Sequence, residues 1–212
     1  AKAESVSSES LINTEMDSVA IIPLKENEGH MRGQISYISC HDDTLVVADN
    51  HQVCLYDAKG KYIIAIGAVG HGPEEYLDFG GVFASHDSIY IKDKGAGQIL
   101  TYDYCGRNTN KRKFKDGAPQ DFFVLKNGSI LGAYSGYRQN SLYRLIVFNS
   151  NAEILGTALP YSEPQEYVAG NFFGETQEEA LFTYPLCDTI FKVSDTSIVP
   201  YICMNIHDSN VV

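Results

Sequence analysis

The chain has 212 residues, 44% of them hydrophobic, enough for one large β-domain or two small domains with a packed core. Its 27 acidic and 16 basic residues give a formal charge of −11, and a field of that sign repels a phosphate backbone, which argues against nucleic acid as a partner. The longest apolar run, Tyr62 to Val69, falls far short of the roughly 20 residues of a membrane helix, so no transmembrane segment is expected.

Residues 1–18 open on alanines and serines and read as a flexible leader. The domain is expected to occupy 19–212. It starts with Val19-Ala20-Ile21-Ile22-Pro23-Leu24, a short apolar strand that Pro23, lacking an N–H, confines to an edge or a strand end.

From Gly33 onward a pattern repeats: a hydrophobic strand closing on a large apolar residue, then an Asp, Asn or Ser turn. The copies are Val53 to Gly60, Ile99 to Gly106, Leu145 to Ala152 and Ile190 to Asp195, with anchors Tyr56, Tyr102, Phe148 and Val193 separated by 46, 46 and 45 residues. Four strands can be drawn around each anchor. In the first unit they run 34–40, 45–49, 52–57 and 61–66; in the second, 79–85, 89–93, 98–103 and 109–114. The third uses 121–126, 130–134, 143–149 and 154–159, with Asn127-Gly128 as a hairpin signal, and the fourth 167–173, 180–184, 189–193 and 198–206.

No segment of helical length keeps a 3.6-residue apolar period. Short strands in fours, at a period in the mid-forties, predict an all-β protein: a β-propeller with four complete blades at about 33–67, 79–115, 121–160 and 167–206, plus the N-terminal edge strand. Each such sheet is apolar on both faces and must stack on its neighbours.

Two side features are read as structural. Arg107, Lys111, Arg112, Lys113 and Lys115 form a basic run expected on a solvated outer strand, where lysines discourage edge-to-edge pairing. The five cysteines, Cys40, Cys54, Cys105, Cys187 and Cys203, contain no CxxC pair and are expected as unpaired thiols.

The turn Asp57, Gly60, Lys61, followed by Ile66-Gly67 and Gly70-His71-Gly72-Pro73-Glu74-Glu75-Tyr76, resembles the six-bladed β-propeller proteins abundant in Bacteroides, and more distantly NHL-repeat propellers. Asp188 to Lys192 and Val199-Pro200-Tyr201 resemble that family's middle blades, and the likeness covers about residues 19–206. It implies that the four blades belong to a six-bladed ring, the alternative being that the four close a smaller ring with residues 19–24 added at an edge, and that the protein is exported, periplasmic or anchored to the outer membrane as a lipoprotein. It implies no particular activity. An open arc of blades would expose apolar faces and favour oligomers.

In a propeller the crossovers between blades and the turns between second and third strands share the face around the channel mouth. On that face the sequence places Asp49, Asn50 and His51, then His71, Glu74 and Glu75, then Asp93 and Lys94, then Tyr137 and Arg138, and Asp188. The ligand-binding candidates are Asp49, His51, His71, Glu75, Asp93, Lys94, Tyr137, Arg138 and Asp188. Tyr and Arg at 137 and 138 supply stacking and forked hydrogen bonds. Asp49 and Asp93 end equivalent strands, where a carboxylate commonly satisfies turn N–H groups. His71 and Glu74 have HxxE spacing, but without a helix it carries no metal-binding geometry.

The segment 67–76 is itself expected to be a structural corner, with Tyr76 packing back between blades and Glu74 accepting loop N–H groups. Two functional readings follow. One is a binding or scaffold propeller for a glycan, peptide or protein, needing no cofactor; the other is a propeller hydrolase or lyase with an axial calcium or other divalent cation.

Overall fold

The computed structural model describes residues 21–25, 33–134, 142–161, 173–175, 179–185, 187–194 and 196–204. The described residues form sixteen strands and no helix, arranged as four four-stranded antiparallel blades of a β-propeller. Blade 1 holds β1 (Tyr37–His41), β2 (Thr44–Ala48), β3 (Val53–Asp57) and β4 (Tyr62–Ile66). Blade 2 holds β5 (Phe79–Ala84), β6 (Ile89–Asp93), β7 (Gln98–Tyr102) and β8 (Asn108–Lys113). Blade 3 holds β9 (Asp121–Val124), β10 (Ile130–Ala133), β11 (Tyr143–Phe148) and β12 (Ile154–Pro160). Blade 4 holds β13 (Phe173–Glu175), β14 (Ala180–Phe182), β15 (Thr189–Val193) and β16 (Ile198–Cys203).

Each blade is a simple meander, and contacts between innermost strands run in succession from β1 to β5, β5 to β9 and β9 to β13. The core is the set of spaces between blades. Val46, Leu55, Ile66, Ile91, Leu100 and Tyr102 fill the first; Phe83, Ile99, Phe122, Ile130 and Phe148 the second; and Leu131, Leu145, Phe182 and Val193 the third. β2, β3, β6 and β7 are buried nearly throughout because both faces of their sheets are covered.

The anchors of the repeat are all buried, and in the first three blades the pairing with the outer strand slips at the same place, just before Tyr56, Tyr102 and Phe148. The slip lets the following residue fold back over the turn. Asp57 Oδ1 accepts the N–H groups of Lys59 and Lys61, Asp103 Oδ1 those of Cys105 and Arg107, and Asn149 Oδ1 those of Asn151 and Glu153. The third turn residue is left-handed each time: Gly60 at φ 76°, Gly106 at 81° and Ala152 at 61°.

Three details differ from expectation. Of the segment 19–24, residues 21–24 are described and form no strand; Lys25 makes a single parallel bridge to Lys61, its N–H donating to the Gly60 carbonyl at 2.7 Å. It therefore runs along the outer edge of blade 1, where Leu24 packs against Val47, Cys54 and Tyr56. The inner strand of blade 4 is described only at 173–175, so most of the expected 167–173, like the leader 1–18, lies outside the described residues. In the basic run Arg112 is buried, because its side chain turns inward with its guanidinium 5.8 Å from the centre of the Tyr90 ring. All five cysteines are free thiols, and burial pushes Cys54 up to about 11.

Candidate functional site

The segment 67–76 does form a corner. Tyr76 is fully buried, and its hydroxyl donates to the His51 carbonyl at 2.9 Å. The Tyr102 hydroxyl donates to the Glu74 carbonyl at 2.8 Å. The Glu75 carboxylate, rather than the expected Glu74, accepts the Gly72 N–H at 2.7 Å. A Cβ at Gly70 would lie 1.9 Å from Glu75 Oε2, so glycine there makes room for the carboxylate. His71 is exposed and has no partner among the described residues.

Asp49 and Asp93 are a repeated clamp. Asp49 Oδ1 accepts the N–H groups of His51 and Gln52 at 2.7 and 2.8 Å, and its Oδ2 accepts that of Gly33 at 3.0 Å. Asp93 Oδ1 accepts those of Asp78 and Ala96 at 3.2 and 3.1 Å, and its Oδ2 accepts the Gln98 side-chain amide at 3.0 Å. Each carboxylate ties the turn after a second strand to the segment entering an innermost strand. Burial pushes the Asp93 carboxyl upward, but the surrounding N–H donors outweigh it and hold the group below the usual carboxylate range. His51 is exposed and contributes through its backbone. Asp188 is exposed, accepting the Thr189 hydroxyl at 2.8 Å. Tyr137 and Arg138 lie outside the described residues.

A cavity of about 660 Å³ lies at the entry ends of the innermost strands. Ser36 and Tyr37 reach it from blade 1, Asp78 to Phe83 from blade 2, Gln120 to Phe123 from blade 3, and Phe173 and Gly174 from blade 4. Asn50 and Lys94 enter from second-to-third-strand turns, so the cavity lies on the face expected to carry the channel mouth. Of the nine candidates Lys94 alone lines it among the described residues.

Its walls are aromatic. Phe83 and Phe123 stand 4.7 Å apart between ring centres, and Phe123 and Phe173 6.0 Å, so equivalent inner strands contribute rings in succession. Its floor is cationic. A slip in the pairing between Phe79 and Gly81 brings two glycines beneath Lys92 and Lys94; a Cβ on Gly80 would lie 2.5 Å from Lys94 Cγ and 2.8 Å from Lys92 Cε. Lys92 is 5% exposed, and its ammonium donates to the Gln120 carbonyl. Burial pulls it down to about 8, against the opposing attraction of Asp121. The signal that could have exposed Lys92 is Gly80-Gly81 opening an inner strand, since paired glycines in a strand mark a bulge or a close approach. Among the described residues no three His, Cys, Asp or Glu side chains converge as a metal site.

These features define a β-propeller with a cavity at the mouth of its axis. The chain belongs to the family described as a domain of unknown function, DUF4934, whose model matches residues 1–211. No curated protein matches it. Among solved structures it is similar to a Bacteroides fragilis NCTC 9343 protein described as exported, at 19% identity over 88% of this chain and 55% of that one, with a TM-score of 0.77. A DUF4221 member from Bacteroides vulgatus ATCC 8482 matches at 12% identity over 87% of this chain and 61% of that one, TM-score 0.56. The computationally designed Ika4 protein matches at 9% identity over 88% and 99% respectively, TM-score 0.50. At these identities the likeness is one of fold. The chain spans about half the length of the Bacteroides fragilis protein.

Proposed function

We propose that this protein is an exported binding propeller of the cell envelope that holds a glycan, or a segment of a peptide or protein, in the cavity at its channel mouth. The observation that carries the reading is the cavity itself: about 660 Å³, within the range of small-ligand sites, with aromatic walls and a few convergent polar groups. Glycan and peptide arrays probed with the purified protein test it. Asn50→Trp plugs the cavity from an exposed turn without touching the core, so a ligand held there is lost in this variant. Binding undiminished by Asn50→Trp removes the cavity from the reading.

Export is supported by the resemblance to Bacteroides propellers and by the description of the Bacteroides fragilis protein. In our reading the native protein is anchored as a lipoprotein and its ring has six blades; fractionation with fatty-acid labelling and the mass of the native product test these points. Exposed apolar residues on blade 1 (Ile38) and blade 4 (Val199, Ile202) support association through the outer faces of those blades, which light scattering on the isolated chain would detect.

A further inference from the structure

We infer that the ligand is a carboxylated sugar, its acid group held by Lys92 and Lys94 and its ring set against Phe123 and Phe173. The inference rests on the binding role proposed above for this cavity and narrows it to one chemistry.

The two lysines are the argument's centre. In a chain with a formal charge of −11, two ammonium side chains are packed over one glycine at the floor of the cavity. Like charges so placed repel: beyond the effect of burial, the Lys94 ammonium lowers the affinity of Lys92 for its proton. Yet among the described residues neither forms an ion pair. Lys92 spends one of its three N–H donors on the Gln120 carbonyl, leaving donor capacity for an anion. Asp121 is near enough to favour the charged form, but not within ion-pair distance. An anion entering between the ammonium groups relieves their repulsion and gains two charge-assisted hydrogen bonds.

The remainder of the cavity selects the body of the ligand. Phe123 and Phe173 are half-buried and line one wall, suited to the apolar C–H face of a sugar ring. Asn50 offers side-chain donors and acceptors suited to ring hydroxyls, and the Ser36 hydroxyl, which donates to the Ala48 carbonyl at 3.4 Å, can still accept from one. As point charges the two lysines can hold a carboxylate or a phosphate. A carboxylate is chosen because Lys92, already donating to the Gln120 carbonyl, and Lys94 together match a single negative charge, and tighter binding of galactose 6-phosphate than of galacturonate would overturn that choice.

The test is calorimetric titration at pH 7 with digalacturonate and with its neutral counterpart, galactobiose. The acid is expected to bind at least about tenfold tighter than the neutral sugar, and Lys92→Met and Lys94→Met each to lose about tenfold in affinity for it, as for removal of a hydrogen bond to a charged group. Gly80→Ala is expected to bring a similar loss while melting within a few degrees of the parent, because the added Cβ displaces the lysine side chains. Lys94 is exposed, so its variant reports on binding even if the buried Lys92 proves sensitive. Equal affinity for the two sugars, or unchanged affinity in Lys94→Met, overturns the assignment of a carboxylate and leaves the cavity's binding role standing. No binding of digalacturonate at millimolar concentration overturns it as well, while the arrays with Asn50→Trp decide the wider reading independently.

Discussion

At the scale of single residues, Lys92 shows how function and stability oppose each other. Its burial holds the folded-state ammonium near 8, below its ordinary 10.5, so between those values the unfolded chain binds more protons than the folded one. Lys92 therefore weakens the fold below about pH 8, and the penalty fades as pH rises toward 10.5. Lys92→Met should stabilise the protein at pH 7 by about 1–2 kcal/mol, after allowing for the Gln120 carbonyl it leaves unpaired. The gain, measured as the difference in chemical denaturation between variant and parent, should shrink between pH 8 and 10. Taking the difference matters, since Cys54 and Tyr102 are raised to about 11 and 12 and lose stabilisation over the alkaline range in both proteins. The clamp residues should behave oppositely: Asp93→Ala strands the N–H groups of Asp78 and Ala96 and should cost about 2–4 kcal/mol, read as a lowered denaturation midpoint.

At the scale of elements, the repeated turn and the corner give sharper contrasts. Ala152 occupies the left-handed position that Gly60 and Gly106 fill in the first two blades. Ala152→Gly should therefore stabilise the chain by about 1 kcal/mol, a rise of a few degrees in Tm, because relief of the left-handed strain exceeds the added entropy of the unfolded chain. In the corner, Gly70→Ala should destabilise by about 1–3 kcal/mol through collision with the Glu75 carboxylate, whereas His71→Ala should leave the melting temperature unchanged. The blades were legible from Tyr56, Tyr102, Phe148 and Val193, since a buried residue before a tight turn leaves a fixed-period mark in the chain. The cavity was legible only as a face. Lys94 sits on a turn and could be placed there, but Lys92 lies on a second strand and reaches the cavity because a bulge in the adjoining strand slides glycines beneath it. That bulge is a property of pairing between strands, which local periodicity does not carry. Arg112 was misjudged for a related reason: its neighbours in sequence are exposed, but the ring it covers, Tyr90, belongs to another strand.

At the scale of the whole molecule, the core is a series of seams rather than one centre. Among the described residues the seam between blades 1 and 2 holds twelve buried apolar residues and that between blades 3 and 4 seven. β16 is exposed along most of its length. Amide exchange followed by mass spectrometry should accordingly show β2, β3, β6 and β7 as the slowest segments and β16 among the fastest. Uniform protection across the four blades would contradict this ordering.

The seam between blades 1 and 2 is also bridged by tyrosine hydroxyls that meet main-chain atoms across it. The Ala84 N–H donates to the Tyr37 hydroxyl, the Tyr76 hydroxyl to the His51 carbonyl and the Tyr102 hydroxyl to the Glu74 carbonyl. A joint that recognises the backbone does not depend on which side chain the neighbouring module presents there. Substitutions at the exposed positions 51 and 74 can thus accumulate without breaking these bridges, so long as the strand path is kept. The same indifference makes the joint portable: a chimera carrying a first blade from a relative should still dock, provided its tyrosine stands at the position of Tyr37 and its turn carbonyl at that of His51.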